Sequence, residues 1–214
     1  MIKRIIAMVL PLALIAGMAL AQEKTAPTTE KTEPKKETKK VEKKNPIVEI
    51  QTNYGNIYLE VYQNETPIHA NNFLDKVKAG KYDSLTFHRV VAGFVIQGGD
   101  PSGNGMGSMD GPSLPDEKSP FPEVRGTVAM ARSNAASNCQ FYINLKDNTS
   151  LDQQKFSTFA NVVKGMDVVD KIAGVEVGPN DKPVKPVIMQ KLLIVEKLPA
   201  AKVAPVKKDT PEKK

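Results

Sequence analysis

Large apolar side chains are confined to one stretch of this chain, which limits where a hydrophobic core can form. Between residues 22 and 45 the sequence is almost entirely Lys, Glu, Thr and Pro, and Val41 is the only large apolar residue there. Such a segment cannot bury enough apolar surface to offset the entropy of ordering it, so we predict a disordered spacer. Residues 200–214 have a similar composition, and we predict a disordered basic tail. One folded domain, residues 46–199, is therefore expected in the 214-residue chain.

The first 21 residues have the pattern of an export signal. Lys3 and Arg4 form a short positive region, an apolar run follows to residue 20, and Ala19-Leu20-Ala21 supplies small residues at a cleavage-site spacing. An uncleaved membrane anchor is the alternative, since the run is just long enough to span a bilayer. The Ala-x-Ala ending favours cleavage after Ala21. We expect an exported protein, periplasmic or secreted, with no stable membrane insertion after cleavage.

The basic character of the chain belongs to its ends. The formal net charge is +6, but residues 1–45 and 200–214 together carry +8, which leaves −2 on residues 46–199. A nucleic-acid-binding domain usually presents a basic face. The charge pattern therefore gives no support for nucleic acid as a partner of the folded domain.

Short strands dominate the predicted secondary structure of residues 46–199. Ile57, Leu59 and Val61 alternate with more polar neighbours, the period-two pattern of a half-buried strand. Many short strands with Gly-rich turns and two helices favour a closed antiparallel barrel, because closure leaves no exposed strand edge. The predicted strands are residues 47–50, 56–62, 86–91, 94–97, 126–130, 140–144, 159–163 and 187–198, with a short helix at 166–172.

A longer helix is predicted between the second and third strands. Thr66 is a candidate N-cap, Pro67 suits the first helical position and Gly80 suits the end. The apolar stripe that should pack on the sheet consists of Ile68, Phe73, Leu74 and Val77. His69 is expected on the opposite, solvent-facing side.

Three sequence blocks resemble the signature of the cyclophilins, in the same order and at similar spacing. They are Phe87-His88-Arg89-Val90-Val91-Ala92-Gly93-Phe94-Val95-Ile96-Gln97-Gly98-Gly99-Asp100; Gly126-Thr127-Val128-Ala129-Met130-Ala131 with Cys139-Gln140-Phe141-Tyr142-Ile143; and Phe159-Ala160-Asn161-Val162-Val163-Lys164-Gly165-Met166. The similarity extends from about residue 47 to residue 198. It implies a mainly β fold, a closed eight-stranded antiparallel barrel capped by two α-helices, with a catalytic groove on its outer wall. The implied activity is peptidyl-prolyl cis-trans isomerisation without a cofactor, and the implied partners are proline-containing polypeptide segments.

Rotation about an Xaa–Pro bond needs no nucleophile, general base or metal. Amide resonance gives a barrier of about 18–20 kcal/mol, and the catalyst must bind the twisted amide better than either planar form. Twisting localises the lone pair on the proline nitrogen, so a fixed donor favours the transition state. The resemblance implies that Arg89, whose guanidinium is always charged, is this donor, and that Gln97 orients it and holds the substrate backbone.

The resemblance also implies the substrate-binding residues. An apolar pocket for the proline ring should be lined by Phe94, Val95, Tyr142 and Leu151, with Phe156 at its rim. For Leu151 and Phe156 ordinary core packing is an equal alternative. Residues that precede proline in the substrate should contact Ala131, Arg132 and Gln140. Gly98 and Gly99 are expected to permit a tight turn and close backbone approach.

The remaining reactive side chains favour structural roles. The chain has two His and one Cys, too few for a metal or disulfide-redox site, so no metal is expected. His88 precedes Arg89 in a strand and should point to the opposite face, into the barrel. Cys139 is expected to be a buried, inert thiol. The Gly-rich loop 101–122 is expected to be mobile.

Two departures from the family pattern affect ligand binding. Many eukaryotic members have Trp where this chain has Ser150, so we expect weak cyclosporin binding. The family's pocket His falls near Lys155 or Phe156, a choice the sequence leaves open. We expect a monomer. A non-catalytic module or chaperone that captures proline segments in the same groove is the alternative function, and an envelope spacer is a third.

Overall fold

The computed structural model describes residues 44–199, and these residues form a closed eight-stranded barrel. The predicted signal segment, nearly all of the predicted spacer and the predicted tail lie outside these residues. Around the barrel the strands follow the order β1-β2-β7-β5-β6-β4-β3-β8, and every pair is antiparallel. The strands are β1 Ile47–Thr52, β2 Gly55–Val61, β3 Leu85–Val91, β4 Val95–Gly98, β5 Thr127–Arg132, β6 Ala136–Asn144, β7 Thr158–Lys164 and β8 Ile188–Val195. The predicted fold class is confirmed.

Residues 44–199 also contain two α-helices and two short 3₁₀ helices. Helix α1 is Pro67–Lys78 and α2 is Met166–Ala173, while the 3₁₀ helices are Thr149–Gln154 and Pro179–Asp181. Helix α1 contacts β6, β7 and β8, and α2 contacts β2, β3 and β4. Among the described residues no helix is long and apolar enough to span a membrane.

Aromatic rings fill the space between α1 and the barrel. The ring of Phe73 on α1 lies 5.2–5.4 Å, centroid to centroid, from those of Tyr82, Phe141 and Phe159. All four side chains are fully buried. Rings at this separation and tilt pack favourably, and their burial contributes several kcal/mol to folding.

The start of α1 differs from the sequence prediction. The hydroxyl of Thr66 donates to the carbonyl of Tyr62 and makes no cap bond to the helix. Instead, the backbone N–H groups of Ile68 and His69 donate to the carboxylate of Glu117, at 2.9 and 2.8 Å. A carboxylate at a helix N-terminus satisfies free N–H groups and complements the helix dipole. The cap is therefore supplied by a distant loop.

The buried face of α1 is rotated relative to the prediction. Ile68 is 43% exposed, whereas His69 is 1% exposed. His69 is tolerated there because its Nε2 lies 3.1 Å from the carbonyl oxygen of Pro115. The prediction that His69 is a surface residue and Ile68 part of the packed stripe was wrong, because a loop covers this part of the helix.

A β-bulge in β3 sets the direction of two side chains. Phe87 pairs with Gly98 and Arg89 with Gln97, so His88 is an extra residue in the ladder. As a result His88 lines the same cleft as Arg89 and Gln97, beneath Gly105. The prediction that His88 points into the barrel, away from Arg89, was wrong because it assumed an unbroken alternation.

Candidate active site

One pocket on the barrel wall brings together nine of the ten predicted site residues. It has a volume of about 140 Å³ and opens to solvent. Its lining residues come from four separate stretches of the chain: Arg89, Phe94, Val95 and Gln97; Ala131 and Arg132; Tyr142; and Leu151 and Phe156. The pocket has the scale of a side chain and is smaller than a typical drug-binding cavity.

The floor of the pocket is a separate apolar cluster. Val95, Ala129, Tyr142 and Leu151 are buried together, and Phe94, Ala131 and Phe156 pack against them half-buried. This cluster does not belong to the main core inside the barrel. Leu151 and Phe156 therefore lie outside the main core, and both line the pocket.

Arg89 lies at the polar edge of the pocket. Its Nη1 donates to Oε1 of Gln97 at 3.4 Å, and its Nε lies 3.4 Å from Oδ2 of Asp181. The two partners contact different nitrogens of the guanidinium group, and no other residue of the described part of the chain bonds to its remaining N–H groups. Arg89 side-chain exposure is 38%, so the group can reach a ligand without a conformational change that uncovers it.

Gln140 acts one step away from the pocket. Its Oε1 accepts a bond of 3.0 Å from Nε2 of Gln97, and its Nε2 donates to the carbonyls of Gly105 and Gly107. The amide of Gln97 is thereby oriented with its oxygen toward Arg89. Gln140 lines an adjoining groove of about 430 Å³, together with Ala131 and Arg132. The tenth predicted residue is therefore part of the same surface.

The loop that forms the other wall of this groove is held by Asp100. The Asp100 carboxylate accepts bonds from the backbone N–H groups of Ser102, Asn104 and Gly105 and from the Ser102 hydroxyl. Burial alone would raise the pKa of Asp100, but bonds from Ser102, Gly107 and Gly105 outweigh burial and lower it to about 2. The sequence predicts mobility for this loop, but the Asp100 carboxylate holds its first part by hydrogen bonds.

Arg132 ties loops together at the pocket rim. Its guanidinium donates to Asp116 at 2.9 Å and to the backbone carbonyl of Lys155 at 2.8 Å, and its side chain is only 11% exposed. Lys155 also binds Asp116, through an ion pair of 2.9 Å. Because the Arg132 head group is already bonded to Asp116 and Lys155, its side chain supports the rim of the groove.

A buried polar network lies behind Tyr142. The carboxylate of Glu123 accepts bonds from Asn144 at 2.6 Å and from Thr158 at 3.0 Å. Burial raises the pKa of Glu123 despite these bonds. Burial, together with the nearby Glu123, also raises the pKa of the Tyr142 phenol. Tyr142 therefore presents a neutral aromatic face to the pocket at any physiological pH.

Among the described residues, His88 and Cys139 belong to no group of candidate metal ligands. Within residues 44–199 no three His, Cys, Asp or Glu side chains are grouped so that they could hold a metal ion. Cys139 is buried, as expected, and burial raises the pKa of its thiol. Burial lowers the pKa of His88, and its ring nitrogens have no hydrogen-bond partner in this part of the chain.

Comparison with known proteins assigns the barrel and its pocket to a family. Residues 47–193 match the family model described as "Cyclophilin type peptidyl-prolyl cis-trans isomerase/CLD". The chain belongs to the cyclophilin-type peptidyl-prolyl cis-trans isomerases. It is 42% identical over 138 residues to a peptidyl-prolyl cis-trans isomerase of Acinetobacter baylyi. This match covers 61% of the present chain and 73% of the relative. It is 37% identical over 164 residues to peptidyl-prolyl cis-trans isomerase B of Escherichia coli, which covers 70% of this chain and all of the relative.

A solved cyclophilin has the same fold. The crystal structure of a Cryptosporidium parvum cyclophilin-type isomerase, determined in the presence of the dipeptide Ala-Pro, superposes with a TM-score of 0.65 at 26% identity. The match covers 71% of this chain and 99% of that one. Together with the curated relatives, this shows that the present cyclophilin is a peptidyl-prolyl cis-trans isomerase.

The structure resolves which residue of this cyclophilin fills the aromatic side of the pocket. The ring of Phe156 packs edge-on against that of Tyr142, with a centroid separation of 5.7 Å. Lys155 instead has a left-handed backbone (φ 61°), and its side chain forms an ion pair with Asp116. Phe156 therefore occupies the pocket position that the sequence leaves open between the two residues.

Three residues at the site were missed by the sequence analysis. Ala129 lies in the pocket floor, and its position two residues before Ala131 on β5 could have indicated the shared face. Asp116 and Asp181 bind the two arginines of the groove. Asp116 lies in a loop and Asp181 ends a three-residue 3₁₀ helix, and in neither place does a periodic pattern indicate what a side chain will contact.

Proposed function

We propose that this cyclophilin accelerates rotation about Xaa–Pro bonds in exported proteins, with Arg89 donating a hydrogen bond to the proline nitrogen of the twisted amide. The observation that supports this mechanism is the placement of a guanidinium group at the edge of an apolar pocket. The pocket is shaped for an apolar ring, and Arg89 is the cation that extends from its polar edge. The proline ring needs an apolar pocket, and the adjacent amide nitrogen needs a hydrogen-bond donor beside it.

The chemistry explains why a donor at this position is sufficient. In the planar amide the nitrogen lone pair is delocalised, and the nitrogen accepts no hydrogen bond. At 90° of twist the lone pair is localised, so a bond from Arg89 stabilises only the transition state. Such a differential interaction typically contributes a factor of about 10²–10³ to the rate. The uncatalysed reaction takes tens to hundreds of seconds, so a contribution of this size matters for folding.

Gln97 is proposed to act on both the enzyme and the substrate. Its amide oxygen accepts from Arg89 and its amide nitrogen donates to Gln140, so its orientation is defined from both sides. In this arrangement Gln97 holds Arg89 toward the pocket and presents a polar edge to the peptide backbone of the substrate. Residues that precede proline would lie in the groove lined by Ala131, Arg132 and Gln140.

The cellular setting of the proposal rests on residues 1–21. Their positive start, apolar run and Ala-x-Ala ending support export with cleavage after Ala21. The clients would then be unfolded or exposed proline segments in a periplasm or outside the cell. N-terminal sequencing of the protein recovered from the envelope or medium tests this: Gln22 as the first residue supports the proposal, and retention of Met1 in a membrane fraction contradicts it.

A monomer with weak affinity for cyclosporin completes the proposal. One chain supplies all nine residues of the pocket, so a second copy is not needed to build it. Ser150 is exposed and small where many family members have Trp, which removes apolar surface for the drug. Gel filtration and titration with cyclosporin test these two points.

The test of the mechanism is isomerisation of Ala-Pro and Leu-Pro substrates by the wild type and by Arg89→Ala. A protease-coupled or refolding assay measures the rate. Arg125→Ala is the matched control, because Arg125 is also a half-exposed arginine in an ion pair, with Asp170, and lies outside the pocket. We expect Arg89→Ala to lose about 10²–10³ in kcat/KM and Arg125→Ala to retain wild-type activity.

The outcomes separate catalysis from binding. If Arg89→Ala stays folded and keeps wild-type kcat/KM, the proposed role of Arg89 is wrong. If the folded wild type fails to accelerate isomerisation of several substrates but binds proline peptides, the groove is a capture site for a binding module or chaperone, and the catalytic mechanism does not apply.

A further inference from the structure

A short segment outside the three sequence blocks contacts Arg89 without lining the pocket. The 3₁₀ helix Pro179–Asp181 is closed by a bond from the N–H of Gly178 to the carbonyl of Lys182, at 2.8 Å. Within it, Asn180 and Asp181 both have left-handed backbones, with φ of 60° and 58°. Two consecutive residues with positive φ are costly unless they are Gly, and Asn and Asp are the side chains that tolerate this conformation best. The loop is thus built to hold position 181 in one place.

The conformation of the loop brings a carboxylate to the inner end of the Arg89 guanidinium. Oδ2 of Asp181 lies 3.4 Å from Nε of Arg89, while Oε1 of Gln97 lies 3.4 Å from Nη1. Contacts at Nε and at Nη1 restrain two nitrogens of a planar group, so they limit its rotation as well as its position. Gln97 alone would leave the guanidinium free to turn about its single contact.

We propose that Asp181 is a positioning residue for catalysis, which holds the Arg89 guanidinium so that its free N–H groups face the proline pocket. This inference rests on the proposed role of Arg89 as the donor to the twisted amide. A free arginine side chain samples many rotamers, and a tether on the enzyme reduces the entropy that must be lost when the transition state forms. The benefit appears in the rate and not in the stability of the fold, because both side chains are 38–46% exposed.

Orientation and charge make opposite predictions for removal of the carboxylate. A negative group beside Arg89 reduces the positive potential at the pocket, so a purely electrostatic role would make Asp181→Ala faster than wild type. A positioning role makes it slower. At low salt we expect Asp181→Ala to lose about two- to fivefold in kcat/KM. The loss should be in kcat. A factor of this size corresponds to the usual strength of a half-exposed ion pair. Asp181→Asn, which keeps an acceptor oxygen, should lose less.

Salt provides a readout that a merely structural role would not change. At about 1 M salt the screening length is near 3 Å, so the Arg89–Asp181 attraction is weakened. The wild-type rate should therefore fall toward that of Asp181→Ala as salt rises, while the variant itself changes little. Asp170→Ala is the matched control, because it removes the carboxylate of another half-exposed Arg–Asp pair, that of Arg125. Its kcat and its salt dependence should equal those of wild type.

A double-mutant cycle decides whether Asp181 acts through Arg89. In an Arg89→Ala background, Asp181→Ala should cause no further loss of kcat. If Arg89→Ala retains full activity, the proposed function of Arg89 fails. If Arg89→Ala is inactive and Asp181→Ala has wild-type kcat, or a higher one, only the positioning role fails. An additional loss in the double variant would show that Asp181 acts by another route and would also overturn the inference.

Discussion

Substitution of Gly99 by Ala should destabilise the barrel more than the same substitution at Gly93. Both glycines have a left-handed backbone, with φ of 86° at Gly99 and 68° at Gly93. A Cβ at position 93 would meet no atom within 4 Å, whereas a Cβ at position 99 would lie 2.5 Å from the backbone carbonyl oxygen of Cys139. The pair therefore shares the conformational cost and differs in the steric cost.

The expected free energies follow from these geometries. A non-Gly residue in the left-handed region costs about 1–2 kcal/mol, and Gly→Ala recovers about 0.4–1 kcal/mol from the unfolded chain. Gly93→Ala should thus cost about 1 kcal/mol. At Gly99 the Cys139 carbonyl cannot move away freely, because it also accepts a bond of 3.0 Å from the Tyr82 hydroxyl. Forced repacking adds about 1–3 kcal/mol, so Gly99→Ala should cost about 2–4 kcal/mol in total.

Urea denaturation followed by circular dichroism gives both free energies of unfolding on the same protein. Equal losses for Gly99→Ala and Gly93→Ala would refute the steric argument, and with it the explanation of why Gly follows β4. A second readout is the isomerase rate at low urea. Since Gly99 connects β4, which carries Gln97, to Asp100, Gly99→Ala should also reduce kcat/KM even where the protein is folded.

Three further predictions test the groove and its supports. Because the pKa of Asp100 is lowered to about 2 from 3.8, its stabilising contribution is complete above pH 4 and is lost as pH falls toward 2. Asp100→Asn should therefore differ from wild type in free energy of unfolding at pH 6 and converge with it near pH 2, and a constant difference would contradict this. Glu117→Ala should destabilise the protein by about 1 kcal/mol in urea denaturation through loss of the α1 cap, and Glu117→Gln by less. Gln140→Leu should lower kcat/KM about two- to tenfold by releasing Gln97, with KM nearly unchanged, and an effect confined to KM would show that Gln140 only binds substrate.

The parts of the fold that sequence predicts well are those with a local period. The resemblance to the cyclophilins implied that Phe94, Val95 and Tyr142 line one pocket, and the barrel brings the three side chains together. Residues two apart on one strand share a face, so a correct strand assignment is also a prediction about the pocket. The same period failed at His88, because a bulge inserts one residue and the sequence has no Gly or Pro there to indicate it.

Long-range contacts from loops account for the other errors. Glu117 caps a helix that begins 50 residues earlier, and Pro115 covers His69 on the same helix. Asp181 reaches Arg89 across a separation of 92 residues. Each contact satisfies a charged or polar group that a local analysis assigns to solvent or to a nearby residue. The polar network around the site therefore becomes visible only when the chain is folded.

This division between strands and loops has a consequence for how the activity can vary. The strands define where the proline ring binds, because Val95, Ala129 and Tyr142 are held by barrel hydrogen bonds and cannot move independently. The loops define how Arg89 is oriented and how the rim is closed, through Asp181 and Asp116. A substitution in a strand must change the pocket and the stability together, whereas a loop substitution can change the rate alone. Differences in turnover between proteins that share this barrel should therefore arise first from the loops that contact the two arginines of the groove.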